Sequence, residues 1–149
     1  GVSPTAFYRH FKNKTDLKAE LMRRGYDLLE EGRENASTFS SYGATYIRFG
    51  LDYPNIYDLM FGPMDPDMSL VPDLQMQSKA AFDGLIEGLK PFMPDETERA
   101  IRIKAINIWA SVHGLVGLLR SGDAHDGKSE ELEWIRNNLE TYLEMTTFK

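Results

Sequence analysis

Tyr8, Arg9 and His10, followed closely by Lys12 and Lys14, place a phenol, an imidazole and three cations within a short length of chain. All of them can donate hydrogen bonds to phosphate oxygens. The stretch that holds them, GVSPTAFYRHFKNKTDL, also contains two helix starts. Ser3 before Pro4 is an N-cap followed by a proline at the first helical position, where its missing N–H costs nothing. Gly1-Val2-Ser3 then reads as a turn, and Pro4 to His10 as a short helix whose N-terminus can enter a major groove. Ser3, Pro4, Thr5 and Ala6 form the end that approaches DNA, with Thr5 near base edges and Ala6 able to meet a thymine methyl. Tyr8, His10 and Lys14 would hold phosphates, Lys14 beside the positive end of the next helix.

The charge distribution agrees with that chemistry better than its sum does. The 149 residues carry a net charge of −6, which by itself argues against a nucleic-acid partner. Residues 1–24, however, hold six basic side chains against Asp16 and Glu20, a net of +4, which leaves −10 on the rest. A basic end that meets phosphate and an acidic body that does not is the expected arrangement.

A second constellation lies in the most apolar segment, where Trp109 and His113 are four residues apart and so neighbours on one helical face. His113 is expected to be buried and satisfied by a backbone carbonyl, with ligand contact or titration as the functional alternatives. Catalytic patterns are missing: there is no G-x-S-x-G, P-loop or H-E-x-x-H, and the histidines are His10, His113 and His125 alone. Glu130, Glu131 and Glu133 read as a dipole-favoured first helical turn, so no catalytic or metal site and no cofactor is expected, and the chain is read as a non-enzyme. The lack of cysteine excludes disulfides and thiolate metal sites and fits a reducing, cytoplasmic compartment. The apolar run from Ala105 to Leu119, about 15 residues, is too short to span a membrane.

The elements that must position these residues all read as helices, an all-α chain with no hairpin signal. Asn13 can cap a long helix ending near Glu34, with Asp16 in its first turn and Leu17, Leu21, Leu28 and Leu29 at helical spacing. Ser37 to Tyr53 follows, with an aromatic stripe of Phe39, Tyr42, Tyr46 and Phe49. Pro54 ends it or starts a short helix from Asn55 to Phe61, and a connector rich in proline and methionine comes next. Leu74 to Leu89 is closed by Lys90-Pro91. Asp95 with Glu98 resembles a capping box for a helix over 95–121. After the GDAHDGK loop, one final helix from Ser129 carries Leu132, Ile135, Leu139, Tyr142 and Leu143 on one face.

GVSPTAFYRHFKNKTDLKAEL resembles the recognition helix and following linker helix of the tetracycline-repressor family: a Gly-Val-Ser turn, a Tyr-x-His-Phe ending and an Asn-Lys-x-x-Leu restart. FGLDYPNIYDLMFG together with IWASVHGLVGLL is similar to the WHG type of C-terminal domain in that family, through Trp109, His113 and Gly114. The resemblance implies a truncated helix-turn-helix over 1–34, whose first two helices would precede residue 1, then a helical ligand-binding and dimerisation domain over 35–149. It further implies a DNA-binding transcriptional regulator, expected to be a repressor, with an operator duplex as partner once those helices are present.

A sensor of this type needs an apolar cavity with few polar groups. The candidates are Phe49, Tyr53, Tyr57, Met60, Phe61 and Met64 around the connector, with Phe82, Ile86, Trp109 and His113 from later helices. Soft methionines and aromatics favour a small hydrophobic or aromatic ligand. For the homodimer, Asn107, Ser111, Gly114 and Gly117 mark a small, weakly polar helix face, and Trp134, Asn138 and Met145 a stripe on the last helix. Two such helices from each subunit make a four-helix bundle. An all-helical haem carrier using His113, or an interaction module without ligand, are the competing readings.

Overall fold

The computed structural model describes residues 11–63, 71–121 and 129–147. Seven α-helices and no strand occur among the described residues, in keeping with the all-α reading; six of the expected helices fall there, and the last of them is split in two. They are α1 (Lys14–Asn35), α2 (Phe39–Asp52), α3 (Pro54–Phe61), α4 (Pro72–Leu89), α5 (Glu98–Ser121), α6 (Ser129–Asn137) and α7 (Leu139–Thr146), with a 3₁₀ turn at Lys90–Phe92. The helix expected over Pro4 to His10 lies outside the described residues, and so do Ser3, Pro4, Thr5, Ala6, Tyr8 and His10.

Local chemistry accounts for most boundaries. The Asn13 side chain accepts from the Asp16 N–H at 2.8 Å, so α1 starts as its cap requires. Thr38 and Ser41 close a reciprocal capping box on α2. Pro54 serves as the first residue of α3 after Tyr53 leaves helical geometry, which separates α2 from α3.

Two expectations change. α5 begins at Glu98, and Thr97 rather than Asp95 supplies the cap, its hydroxyl accepting from the Ala100 N–H at 3.2 Å. The single final helix is broken at Asn138, whose backbone sits at φ −132 and ψ 41. Its side chain donates to the Trp134 carbonyl at 2.8 Å and its N–H to the Ile135 carbonyl at 3.1 Å, which ends α6 locally.

Helix α2 is the hub and packs against α1, α3, α5 and α7. Its inner residues Ala44 and Ile47 are fully buried. Around them Leu29, Phe49, Tyr57, Val112, Val116, Leu119, Leu139 and Leu143 make one apolar cluster drawn from five helices. A smaller cluster of Ala19, Met22, Tyr26 and Leu74 fastens α1 to α4, and another of Ile86, Leu89, Ile101 and Ala105 fastens α4 to α5. Where α2 crosses α5 and α3, only glycine fits at position 50. A β-carbon there would stand 2.7 Å from Val116 Cγ1 and 3.0 Å from the Tyr57 ring. The α5 terminus is tied down by the Arg136 guanidinium, which donates to the Leu119 carbonyl.

Candidate ligand-binding site

Three helices converge to build a hydrogen-bonded aromatic cluster: α2 supplies Tyr46, α3 supplies Tyr57 and Phe61, and α5 supplies Trp109 and His113. Trp109 Nε1 donates to Tyr46 Oη at 3.3 Å. Tyr46 Oη lies 3.2 Å from His113 Nε2, and Tyr57 Oη lies 2.5 Å from His113 Nδ1. Because an indole N–H can only donate, Tyr46 Oη must accept from Trp109, and its own proton is then best used on Nε2. That choice puts the imidazole proton on Nδ1, donating to Tyr57 Oη. The opposite tautomer would leave the partly buried Tyr46 proton without an acceptor.

Electrostatics agree with a neutral cluster. Burial pushes both phenols up, Tyr57 to about 12, and pushes His113 below the usual histidine value. The imidazole is also enclosed by rings, with centroids of Phe61 at 4.8 Å, Trp109 at 5.3 Å and Tyr57 at 5.4 Å. Next to Tyr57, the exposed Arg120 guanidinium grips the Asp58 carboxylate with two bonds of 2.5 and 2.7 Å and holds that carboxyl below its ordinary range.

Tyr46, Phe61 and Trp109 also wall a cavity of about 60 Å³. Phe82, Leu85, Ile108 and Val112 complete its apolar lining, and Phe82 stacks at a tilt on Trp109 with centroids 5.3 Å apart. Tyr26, Tyr42, Tyr46 and Ser78 also line it, with Tyr26 on α1 hydrogen-bonded to Ser78 on α4. An open groove of about 710 Å³ shares Tyr26, Phe39, Tyr42 and Ala81 with this cavity. Its outer wall is polar: Asp27, Glu30 and Arg33 from α1, and Gln77 and Glu87 from α4.

Of the residues singled out for a ligand, the structure brings Phe61, Phe82 and Trp109 together at the cavity. Tyr57 and His113 stand behind that wall as its hydrogen-bonded support. His113 is satisfied by two tyrosine hydroxyls instead of the backbone carbonyl expected for it. Met60 packs against α1, where its sulfur is what a β-carbon at Gly25 would strike. Phe49 and Ile86 belong to the helix-packing clusters, Tyr53 is 44% exposed, and Met64 lies outside the described residues.

Tyr26, Tyr42, Gln77 and Ile108 line the site without having been singled out for it. The spacing of Phe39, Tyr42 and Tyr46 already carried the signal, since these three fall on one side of α2 and face α4 and α5. Of the residues proposed to touch DNA, Lys14 alone is described; it is exposed as the first residue of α1. Asn107, Ser111, Gly114 and Gly117 are exposed on α5, Trp134 and Met145 are exposed on α6 and α7, and Asn138 is half-exposed between them.

No curated protein and no solved structure matches the chain. A family profile described as "Tetracyclin repressor-like, C-terminal domain" matches residues 39–135. The matched span begins with the first residue of α2, ends within α6 and contains the Tyr46–Trp109–His113 cluster and most of the cavity wall. With well over half of its length matched by that profile, the chain belongs to the tetracycline-repressor-like family.

Proposed function

We propose that the chain is a DNA-binding transcriptional regulator, acting as a homodimeric repressor, whose operator affinity is set by a small hydrophobic or aromatic ligand in the Phe82–Trp109 cavity. The observation that carries this reading is Tyr26. It belongs to α1, the helix that continues directly from the basic segment at the start of the chain, and it forms part of the cavity wall. Met60 and Ile56 of α3 press on the same helix at Gly25, while Tyr57 and Phe61 of α3 contact the His113 cluster. A ligand that displaces Phe61 or Tyr26 therefore does work on α1, and α1 would carry the DNA-reading segment with it.

Reciprocal linkage tests this. A ligand found by fluorescence of Trp109, in a chain with Trp134→Phe, should bind the native regulator more weakly when operator DNA is present, by the same factor by which it weakens operator binding. Equal ligand affinity with and without operator refutes the proposal. The haem-carrier reading loses support because both His113 ring nitrogens are already engaged by tyrosine hydroxyls, leaving none for an iron.

A further inference from the structure

An apolar cavity of about 150 Å³ binds benzene. The inner cavity here, at about 60 Å³, is well under half of that, so neither an aromatic nor a cyclohexyl ring fits it. Its walls are nonetheless mostly hydrocarbon, from the Phe61, Phe82 and Trp109 rings to Leu85, Ile108 and Val112. What such a space admits is slim and apolar: the end of a methylene chain, the narrowest apolar group an organic molecule offers.

The adjoining groove gives the rest of such a molecule room. It measures about 710 Å³, within the range of about 300–1,000 Å³ usual for ligand sites, and shares Tyr26, Phe39, Tyr42 and Ala81 with the cavity. Ala80, Gly84 and Gly88 continue its α4 side with almost no side chain. A β-carbon at Gly84 would have one neighbour within 4 Å, Arg33 Cδ at 3.7 Å, so the space over that glycine is open. The charges on the rim are largely balanced. Glu30 accepts two bonds from the Arg33 guanidinium, Glu87 accepts from Lys90, and Asp27 stands exposed, where water and salt screen it. Such a rim favours neither sign of head group strongly, and selection falls to the apolar part.

Resting on the sensor reading above and narrowing its ligand, we propose that the site takes an unbranched aliphatic chain. Its methyl end occupies the cavity against Phe82 and Trp109, and the methylenes that follow lie along the α4 side of the groove. Tyr26 borders both spaces, so this occupant touches α1 directly. Recognition is by length and slimness, and the polar head stays at the water-facing rim.

Hexanol, octanol and decanol, titrated below their solubility limits into the Trp134→Phe protein and read by Trp109 fluorescence and melting temperature, test this. Each added methylene that becomes buried should tighten binding about fourfold. Cyclohexylbutanol, with the carbon count of decanol but a ring at its end, should bind roughly tenfold more weakly than decanol. Gly84→Leu fills the groove while improving helix propensity, so it should weaken decanol by roughly tenfold in a protein that still folds. Phe82→Leu enlarges the cavity and should narrow the gap between the ring-ended probe and decanol, which nonspecific surface binding would not do. Affinity that ignores alkanol length, a ring-ended probe as tight as decanol, a gap that Phe82→Leu leaves unchanged, or decanol binding unaffected by Gly84→Leu overturns the aliphatic-chain reading and leaves the sensor reading intact. Absence of binding by every alkanol to the folded protein overturns it as well, while the operator-linkage measurement still decides the sensor reading.

Discussion

Tyr46 is the hinge of the interior polar cluster, because its single hydroxyl serves Trp109 Nε1 on one side and His113 Nε2 on the other. Tyr46→Phe keeps the ring and its packing but leaves a partly buried indole N–H and an imidazole nitrogen without partners. A loss of about 1–3 kcal/mol in unfolding free energy is expected, read from urea denaturation. The adjacent histidine gives the protein a pH signature. Burial keeps the folded-state pKa of His113 below its ordinary 6.5, so the unfolded chain takes up that proton first. Stability contributed by the neutral imidazole is thus full above about pH 6.5 and is lost as pH falls toward the folded value. Melting temperatures between pH 7.5 and pH 5.5, values spanning that window, should decline for the native chain and more gently for His113→Gln. Parallel slopes for the two would mean that His113 carries no such linkage.

The helices were legible where a local signal fixes them, as at the Asn13 cap and at Pro54, and less so where geometry between helices decides. Leu132, Ile135, Leu139 and Leu143 keep helical spacing straight across Asn138, so periodicity alone reads one helix; the break comes from side-chain and backbone bonds to α6 carbonyls. Likewise the aromatic stripe of α2 was visible, but which of its members meet a cavity depends on the crossing angles of α4 and α5. Thus Tyr42 and Tyr46 line the site, while Phe49, further along the same helix, packs in the core. Gly50 shows the same dependence. Replacing it with alanine would gain about 1 kcal/mol of helix propensity if the site were open. Here the added β-carbon meets Val116 Cγ1 at 2.7 Å and the Tyr57 ring at 3.0 Å, a β-branched side chain and a rigid ring that cannot swing aside. Overpacking of about 1–3 kcal/mol outweighs the gain, so Gly50→Ala should lower the melting temperature. A melting temperature equal to or above that of the parent chain would show that α3 moves away from α2 freely.

At the scale of the whole molecule, the exposed side of α5 differs from an ordinary solvated helix face. Ile103 and Ile106 are 59% and 55% exposed and Leu118 is 44% exposed, and with Ala110, Gly114 and Gly117 they fall within about 120° of the helix circumference. A β-carbon at Gly114 or Gly117 would meet nothing within 4 Å. Within one chain these glycines have no packing purpose and cost helix stability. A neighbouring helix lying along this face gives them one, since small residues let two backbones approach. Trp134 and Met145 are likewise 46% and 51% exposed, on α6 and α7. We predict that this face is an association surface, with a two-fold axis through it pairing these helices of two subunits as a four-helix bundle. The native chain should then have twice the monomer mass by light scattering at micromolar concentration. Trp134→Glu, at an exposed position that no core cluster includes, should shift it to monomer with an unchanged far-ultraviolet spectrum. Gly117→Leu should act the same way through bulk alone, although the same change in an isolated helix raises its stability. A dimer that survives both substitutions would place the subunit contact elsewhere, and a native chain of monomer mass would leave the glycines without that role.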